Sequence, residues 1–137
     1  MAETIKFDDV RNSNKNRISE HSENPTQKNV DFSEWQKLDL RVGKILSVED
    51  HPNADKLYVL EVDLGKLGKR KLVAGLKQHY KPKDLKGKLC VVFSNLEPAV
   101  LRGIKSEGMV LAAVSEDKVN VKIIQPAKDI ELGSKIQ

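Results

Sequence analysis

From residue 38 onward, apolar side chains recur at every second position in short runs that end at glycine, proline or charged clusters, the period of half-buried β-strands. The first run, residues 38–48, carries Leu38, Leu40 and Val42 in one phase; beyond Gly43 the phase shifts to Ile45, then Leu46 and Val48. A phase shift at a glycine predicts a bulge or sharp bend, which lets one long strand serve both halves of a closed barrel. A second strand is expected over 56–64, with Tyr58, Leu60, Val62 and Leu64 on one face and Glu61 and Asp63 on the other. A loop through Gly65 and Gly68 leads to a third at 70–74. Between Gly75 and Gly87 the alternation stops, and Pro82 and Leu85 fit a short helical turn closed by Gly87. Strands resume at 89–94 and 109–114, turn at Ser115 to Lys118, and return through Val119, Val121 and Ile123 as a hairpin. The order strand, strand, strand, short helix, strand, strand predicts an all-β fold, the five-stranded oligonucleotide-binding (OB) barrel, with residual strand or turn over 126–137 as a C-terminal extension.

Ahead of this pattern, residues 11–29 hold Ile18 as their one large apolar side chain, too little buried surface to offset ordering the backbone. Ile5, Phe7 and Val10 form a small apolar cluster before it. The expected organisation is a disordered, flexible polar tail over 1–30 and one barrel domain over 31–137, beginning near Phe32 or Trp35. A chain of 137 residues suits one domain plus a tail.

Charge changes the picture by its distribution. Residues 36–88 hold 13 basic and 7 acidic side chains, against 5 and 7 before them and 6 and 6 after. A basic block inside a fold suits an anionic partner, and equally a solvated lysine-rich surface. Cys90, the single cysteine, sits in a Leu-Cys-Val-Val-Phe strand pattern and reads as a small core residue; one thiol allows neither disulfide nor zinc cluster. No run could span a bilayer and the N-terminus lacks a signal-peptide pattern, so a cytoplasmic protein is expected. The histidines are His21, His51 and His79, with no nucleophile motif, phosphate loop or metal-ligand spacing around them. Catalysis is therefore not expected, nor a cofactor or metal.

Four patterns remain: Asp39-Leu-Arg-Val-Gly43, His51-Pro-Asn-Ala-Asp-Lys-Leu57, Asn95-Leu-Glu-Pro98, and Leu101-Arg-Gly-Ile-Lys-Ser-Glu-Gly-Met109 followed by Leu111-Ala-Ala113. In this order and spacing they resemble the tRNA-binding domain appended to methionyl-tRNA synthetases, which also occurs in free-standing structure-specific tRNA-binding proteins and in the endothelial monocyte-activating polypeptide II family. The resemblance implies an OB barrel that holds the outer corner of the L-shaped tRNA by shape, with little regard to its identity. It also implies tRNA as partner, methionyl-tRNA synthetase as an enzyme served in trans, and a homodimer built through segments outside the five strands. Ile123, Ile124, Pro126, Ile130, Leu132 and Ile136 supply apolar groups for such pairing.

The same resemblance places discriminating contacts at Asn53, Ser106 and Met109, with Asn95 and Arg102 nearby and Gly108 admitting the RNA backbone. Arg41, Lys44, Lys56 and Lys77 of the basic block are expected to neutralise phosphates. Glu97 departs from the family's usual basic residue in its Asn-Leu-Lys-Pro stretch. Each motif also has a structural reading: Asn53 and Asp55 suit a turn, Arg41 and Lys44 a solvated strand face, and Met109 core packing. Tyr58, Tyr80 and Phe93 are too few and scattered for a base-stacking platform, which favours shape over sequence readout. The rival function is a protein-interaction, chaperone-like or cytokine-like module on the same fold, since Arg41 to Ser47 resembles the heptapeptide associated with cytokine activity in the monocyte-activating family.

Overall fold

A computed structural model describes residues 28–137; the Ile5, Phe7 and Val10 cluster and nearly all of the expected tail lie outside them. The chain divides into two compact units, with the boundary between Lys37 and Leu38. In the described part of the first, helix α1 (Phe32–Gln36) starts at Asp31, whose carbonyl accepts the Glu34 N–H at 2.9 Å.

The second unit is the barrel. Its sheet has the order β3-β2-β1-β4-β7, all antiparallel, from β1 (Leu40–Asp50), β2 (Tyr58–Asp63), β3 (Lys69–Ala74), β4 (Leu89–Phe93) and β7 (Met109–Val110). The alternation in β2 is realised as read, with Tyr58, Leu60 and Val62 buried and Glu61 exposed. Helix α2 (Pro82–Leu85) starts on its proline and drops Leu85 into the core beside Ile45, Leu60, Val62, Leu72 and Val92. Each such aliphatic side chain removed from water contributes about 1.5–3 kcal/mol.

Strand β1 is shared, as expected. Leu40 to Lys44 pair with β4 and Lys44 to Asp50 with β2. The irregularity falls between Ile45 and Ser47, however, not at Gly43. Gly43 is required by packing instead: a Cβ there would sit 2.6 Å from Val62 Cγ1 and 2.7 Å from Leu64 Cδ2. The other flank of early β1 is taken by the C-terminal extension, where the Val42 N–H donates to Ser134 O at 2.9 Å, Gly133 N–H to Val42 O at 2.8 Å and Ile136 N–H to Leu40 O at 2.8 Å.

The barrel closes where β3 meets the chain before β7. Glu107 N–H donates to Lys71 O at 2.9 Å, and the Ser106 hydroxyl oxygen accepts the Val73 N–H at 2.9 Å. Arg70, half-buried, braces the same seam by donating to the carbonyls of Ser94 and Glu107. The strand expected over 109–114 divides into β7 and β8 (Ala112–Val114), because Leu111 changes partner. Its N–H bonds Val91 O at 2.9 Å while its carbonyl accepts the Ile124 N–H at 3.1 Å, handing the chain from β4 to the β8–β9 hairpin with β9 (Val121–Ile123). A second hairpin, absent from the sequence reading, joins β5 (Ala99–Leu101) to β6 (Ile104–Ser106). Its two turn residues, Arg102 at φ 53° and Gly103 at φ 92°, give the paired positive values of a type I′ turn.

Candidate nucleic-acid interface

The loop between β1 and β2 and the β5–β6 hairpin meet through one imidazole. His51 is 4 % exposed, and its Nδ1 lies 3.0 Å from the Asn53 N–H, which it accepts. Nε2 must then carry the ring hydrogen and donate it to Leu101 O at 2.9 Å, which defines a neutral tautomer. Asn53 adds its own long contact, Nδ2 to Arg102 O at 3.4 Å. Asn53 and Arg102, 49 residues apart in sequence, thus stand side by side and exposed.

Next to them opens a groove of about 340 Å³ whose walls include Leu76, Leu96, Leu101, Val110 and, 42 % exposed, Met109. Glu97 is the one ionisable side chain in its lining. Such a surface can take the face of a base, a ribose or an apolar side chain, but it cannot neutralise a phosphate.

Two groups expected to touch RNA are engaged by the protein itself. Ser106, 5 % exposed, accepts from Val73 N–H and donates its hydroxyl to Gly108 O at 3.0 Å, so its hydroxyl hydrogen is committed to the wall. At Gly108, with φ +146°, the space a Cβ would need is filled by Phe93 O at 3.0 Å and Leu72 Cδ2 at 3.2 Å. The close approach that this glycine permits within the protein is to the barrel's own β4.

Asn95 and Arg41 belong to a neighbouring brace. The Asp39 N–H donates to Asn95 Oδ1 at 2.8 Å, and the Ser94 hydroxyl faces Asp39 O at 2.7 Å and its carboxylate at 2.9 Å. Arg41 Nε donates to Asp39 Oδ1 at 2.7 Å and Nη1 to Gly133 O at 3.0 Å. Burial pushes the Asp39 carboxyl up, but the hydrogen bonds from Arg41 and Ser94, with the charges of Arg41 and Lys135, outweigh it and hold the group below its usual value. Arg41 accordingly lines a separate concavity, with Leu132 and Gly133. Lys77 pairs with Asp50 at 3.4 Å and its N–H meets Lys56 O at 3.4 Å, while Lys44 and Lys56 are exposed.

The fold therefore puts Ser106, Gly108 and Met109 in the lining of one groove, while Asn53 and Arg102 meet each other beside its wall residue Leu101 and, like Arg41, stand outside that lining. Sequence reasoning missed His51 as the clasp and Arg70 as the seam brace. The proline after His51 was visible, but nothing local distinguishes a buried, doubly bonded histidine from one that merely precedes a turn. Among the described residues no cluster of His, Cys, Asp and Glu could hold a metal, and no helix is long and apolar enough to cross a membrane.

A nearly closed five-stranded antiparallel barrel with an apolar groove defines an OB-like fold. The family model described as "Putative tRNA binding domain" matches residues 40–135, and the chain belongs to that family. It is 50% identical over 121 residues to the methionine–tRNA ligase of Pyrococcus horikoshii, a match covering 88% of this chain and 16% of the ligase. The corresponding ligase of Parabacteroides distasonis is 40% identical over 122 residues, 89% of this chain and 18% of that protein. The chain thus spans less than a fifth of the length of these relatives. Among solved structures, a MetRS-related protein from Pyrococcus horikoshii superposes with a TM-score of 0.76 at 29% identity, covering 81% of this chain and all of that one. The chaperone CsaA from Bacillus anthracis gives 0.73 at 34% identity, covering 80% and 100%.

Proposed function

We propose that the chain is a non-catalytic module that binds folded tRNA at its outer corner by shape, acting in the cytoplasm as an auxiliary to methionyl-tRNA synthetase. The observation that carries this reading is an open apolar groove lined by Leu101 and Met109, with the Asn53–Arg102 contact beginning one residue beyond Leu101, in a chain of a tRNA-binding family. Met109 packs its thioether against a base or sugar exposed at the tRNA corner. Asn53 and Arg102 reach ribose and phosphate oxygens from the rim. Asn95 holds the start of the Asn-Leu-Glu-Pro stretch on Asp39 and so positions Leu96, while Ser106 and Gly108 contribute by building the wall. Lys44 and Lys56 attract phosphates; Arg41 and Lys77, already paired to Asp39 and Asp50, contribute less. The chain works as a homodimer, supported by Ile124 at 43% and Ile130 at 52% exposure; Leu132 and Ile136, only half-buried, lie in the segment bonded to β1.

Titration of folded tRNA and of a linear RNA duplex of equal length tests the reading. The parent should prefer tRNA, and Met109→Ala should weaken tRNA binding several-fold, about 1 kcal/mol, while leaving duplex binding and the fold unchanged. Equal affinity for both RNAs, or an unaltered Met109→Ala, overturns it. The apolar lining of the groove also favours a second reading, capture of unfolded polypeptide, for which an unfolded chain would compete with tRNA for the parent but not for Met109→Ala. A cytokine-like role finds less support: the segment from Arg41 to Ser47 lies inside β1, hydrogen-bonded on both flanks.

A further inference from the structure

The cations nominated for phosphate contact are only part of the basic surface, and two of them already have anionic partners. A different group has none. Residues 81–88 read Lys-Pro-Lys-Asp-Leu-Lys-Gly-Lys, four lysines with one acid. This stretch is held rigidly: Leu85 is fully buried, Lys86 N–H donates to Pro82 O at 3.0 Å, and Lys88 N–H to Leu85 O at 3.0 Å. Two further bonds clamp it to β1, Gly87 N–H to Ile45 O at 2.7 Å and Ile45 N–H to Lys88 O at 2.9 Å. Just upstream, the Tyr80 hydroxyl accepts the Ile123 N–H at 3.0 Å, fixing the entry.

The β1–β4 register adds a fifth cation, because Lys44 lies opposite Leu89 and hence next to Lys88. Lys44, Lys81, Lys83, Lys86 and Lys88 are all exposed, and none forms an ion pair among the described residues. Asp63, across β1 from Lys44, has Oδ1 engaged by the Gly65 N–H at 2.9 Å. None of the five lines the groove.

Five like charges on an anchored stretch, against Asp84 within it and Asp63 opposite Lys44, repel one another in the free protein. A polyanion with closely and evenly spaced charges relieves that repulsion and releases its own condensed counterions as it binds. We infer that this lysine face is a second contact surface, which lies along the sugar–phosphate backbone of the same bound tRNA and supplies most of the salt-dependent attraction. The groove and its rim supply the discrimination. The inference rests on tRNA being the partner.

The test compares the salt dependence of tRNA binding in the parent and in a variant with Lys81, Lys83, Lys86 and Lys88 all changed to Gln. If three phosphate contacts are lost, the slope of log affinity against log salt falls by about 2.1–2.7, and the affinity change between about 50 and 200 mM salt shrinks about 20- to 40-fold. The preference for tRNA over linear duplex should persist. Changing the same four lysines to Arg should restore the parent slope. A charge-matched control, Lys66, Lys69, Lys118 and Lys128 to Gln, should leave the slope near the parent's. A parent that binds tRNA while the Gln variant keeps its slope, or a control that lowers the slope as much, overturns this inference alone. A parent that does not bind tRNA at low salt overturns the functional reading first.

Discussion

His51→Phe preserves the ring's bulk and removes both nitrogens, which leaves the Leu101 carbonyl and the Asn53 N–H without their partner. His51 is 4 % exposed, so water reaches it poorly. A lost neutral hydrogen bond costs about 1 kcal/mol net, and an unsatisfied buried group about 1–3 kcal/mol. Asn53 and Leu101 are themselves exposed and recover some solvation, which puts the expected loss near 2 kcal/mol rather than at the upper limit. Two conservative variants split the pair. His51→Asn places an acceptor near the Nδ1 position and should retain the Asn53 bond; His51→Gln places a donor near Nε2 and should retain the Leu101 bond. Each should lose about half as much. Urea unfolding gives the stability, and amide exchange at Asn53 reports the loop directly. In tRNA titrations at temperatures where all variants are folded, loosening the Asn53 loop should lower affinity with the salt slope intact. A His51→Phe protein within about 0.5 kcal/mol of the parent, with Asn53 exchange unaltered, would refute the clasp.

Gly108→Val should destabilise the barrel by about 2 kcal/mol or more, because its positive φ and the Phe93 carbonyl 3.0 Å from the new Cβ both oppose a side chain; an unshifted melting midpoint would contradict this. Asp39 has a folded pKa below its unfolded value, so the stability it contributes is present above the unfolded value and lost as pH falls through the folded one. Asp39→Asn should therefore be less stable than the parent at neutral pH, and the gap should close in acid, as chemical denaturation across that range would reveal. Burial pushes the Cys90 thiol up to about 12, so alkylation at mildly alkaline pH should be negligible in the native protein and complete on unfolding, which mass spectrometry reads directly.

The parts of the fold legible in sequence were those in which one face is buried and the other wet. Tyr58, Leu60 and Val62 announced β2, and Pro82 with Leu85 announced α2, because local pattern and tertiary burial agree there. The β5–β6 hairpin was hidden for the opposite reason: Ala99, Val100 and Leu101 are all exposed, and Arg rather than Asn or Asp precedes the turn glycine. The bulge was placed at Gly43 because glycine is the usual mark of a bend, yet the extra residue is Leu46, chosen by the register of β1 with β2, a partner strand that no local window contains. At the site, Met109, Asn53 and Arg102 stood out as residues, as did Ser106 and Gly108, but the contacts these two make in the barrel seam could not be read from the sequence. Spacing alone cannot distinguish a hydroxyl that faces RNA from one that accepts Val73 N–H across the closure.

The pairing of the C-terminal extension with β1 also sets where the module begins and ends in space. Ile136 donates to Leu40 O at 2.8 Å, so the chain enters and leaves the barrel within one hydrogen bond of itself. A domain with adjacent ends can be appended to a larger polypeptide, inserted into one of its surface loops, or circularly permuted across a short linker with little strain on its interior. The same adjacency imposes an order on synthesis: the first strand cannot complete its outer flank until residues 133–136 have left the ribosome. Portability and late completion are thus two outcomes of a single strip of backbone.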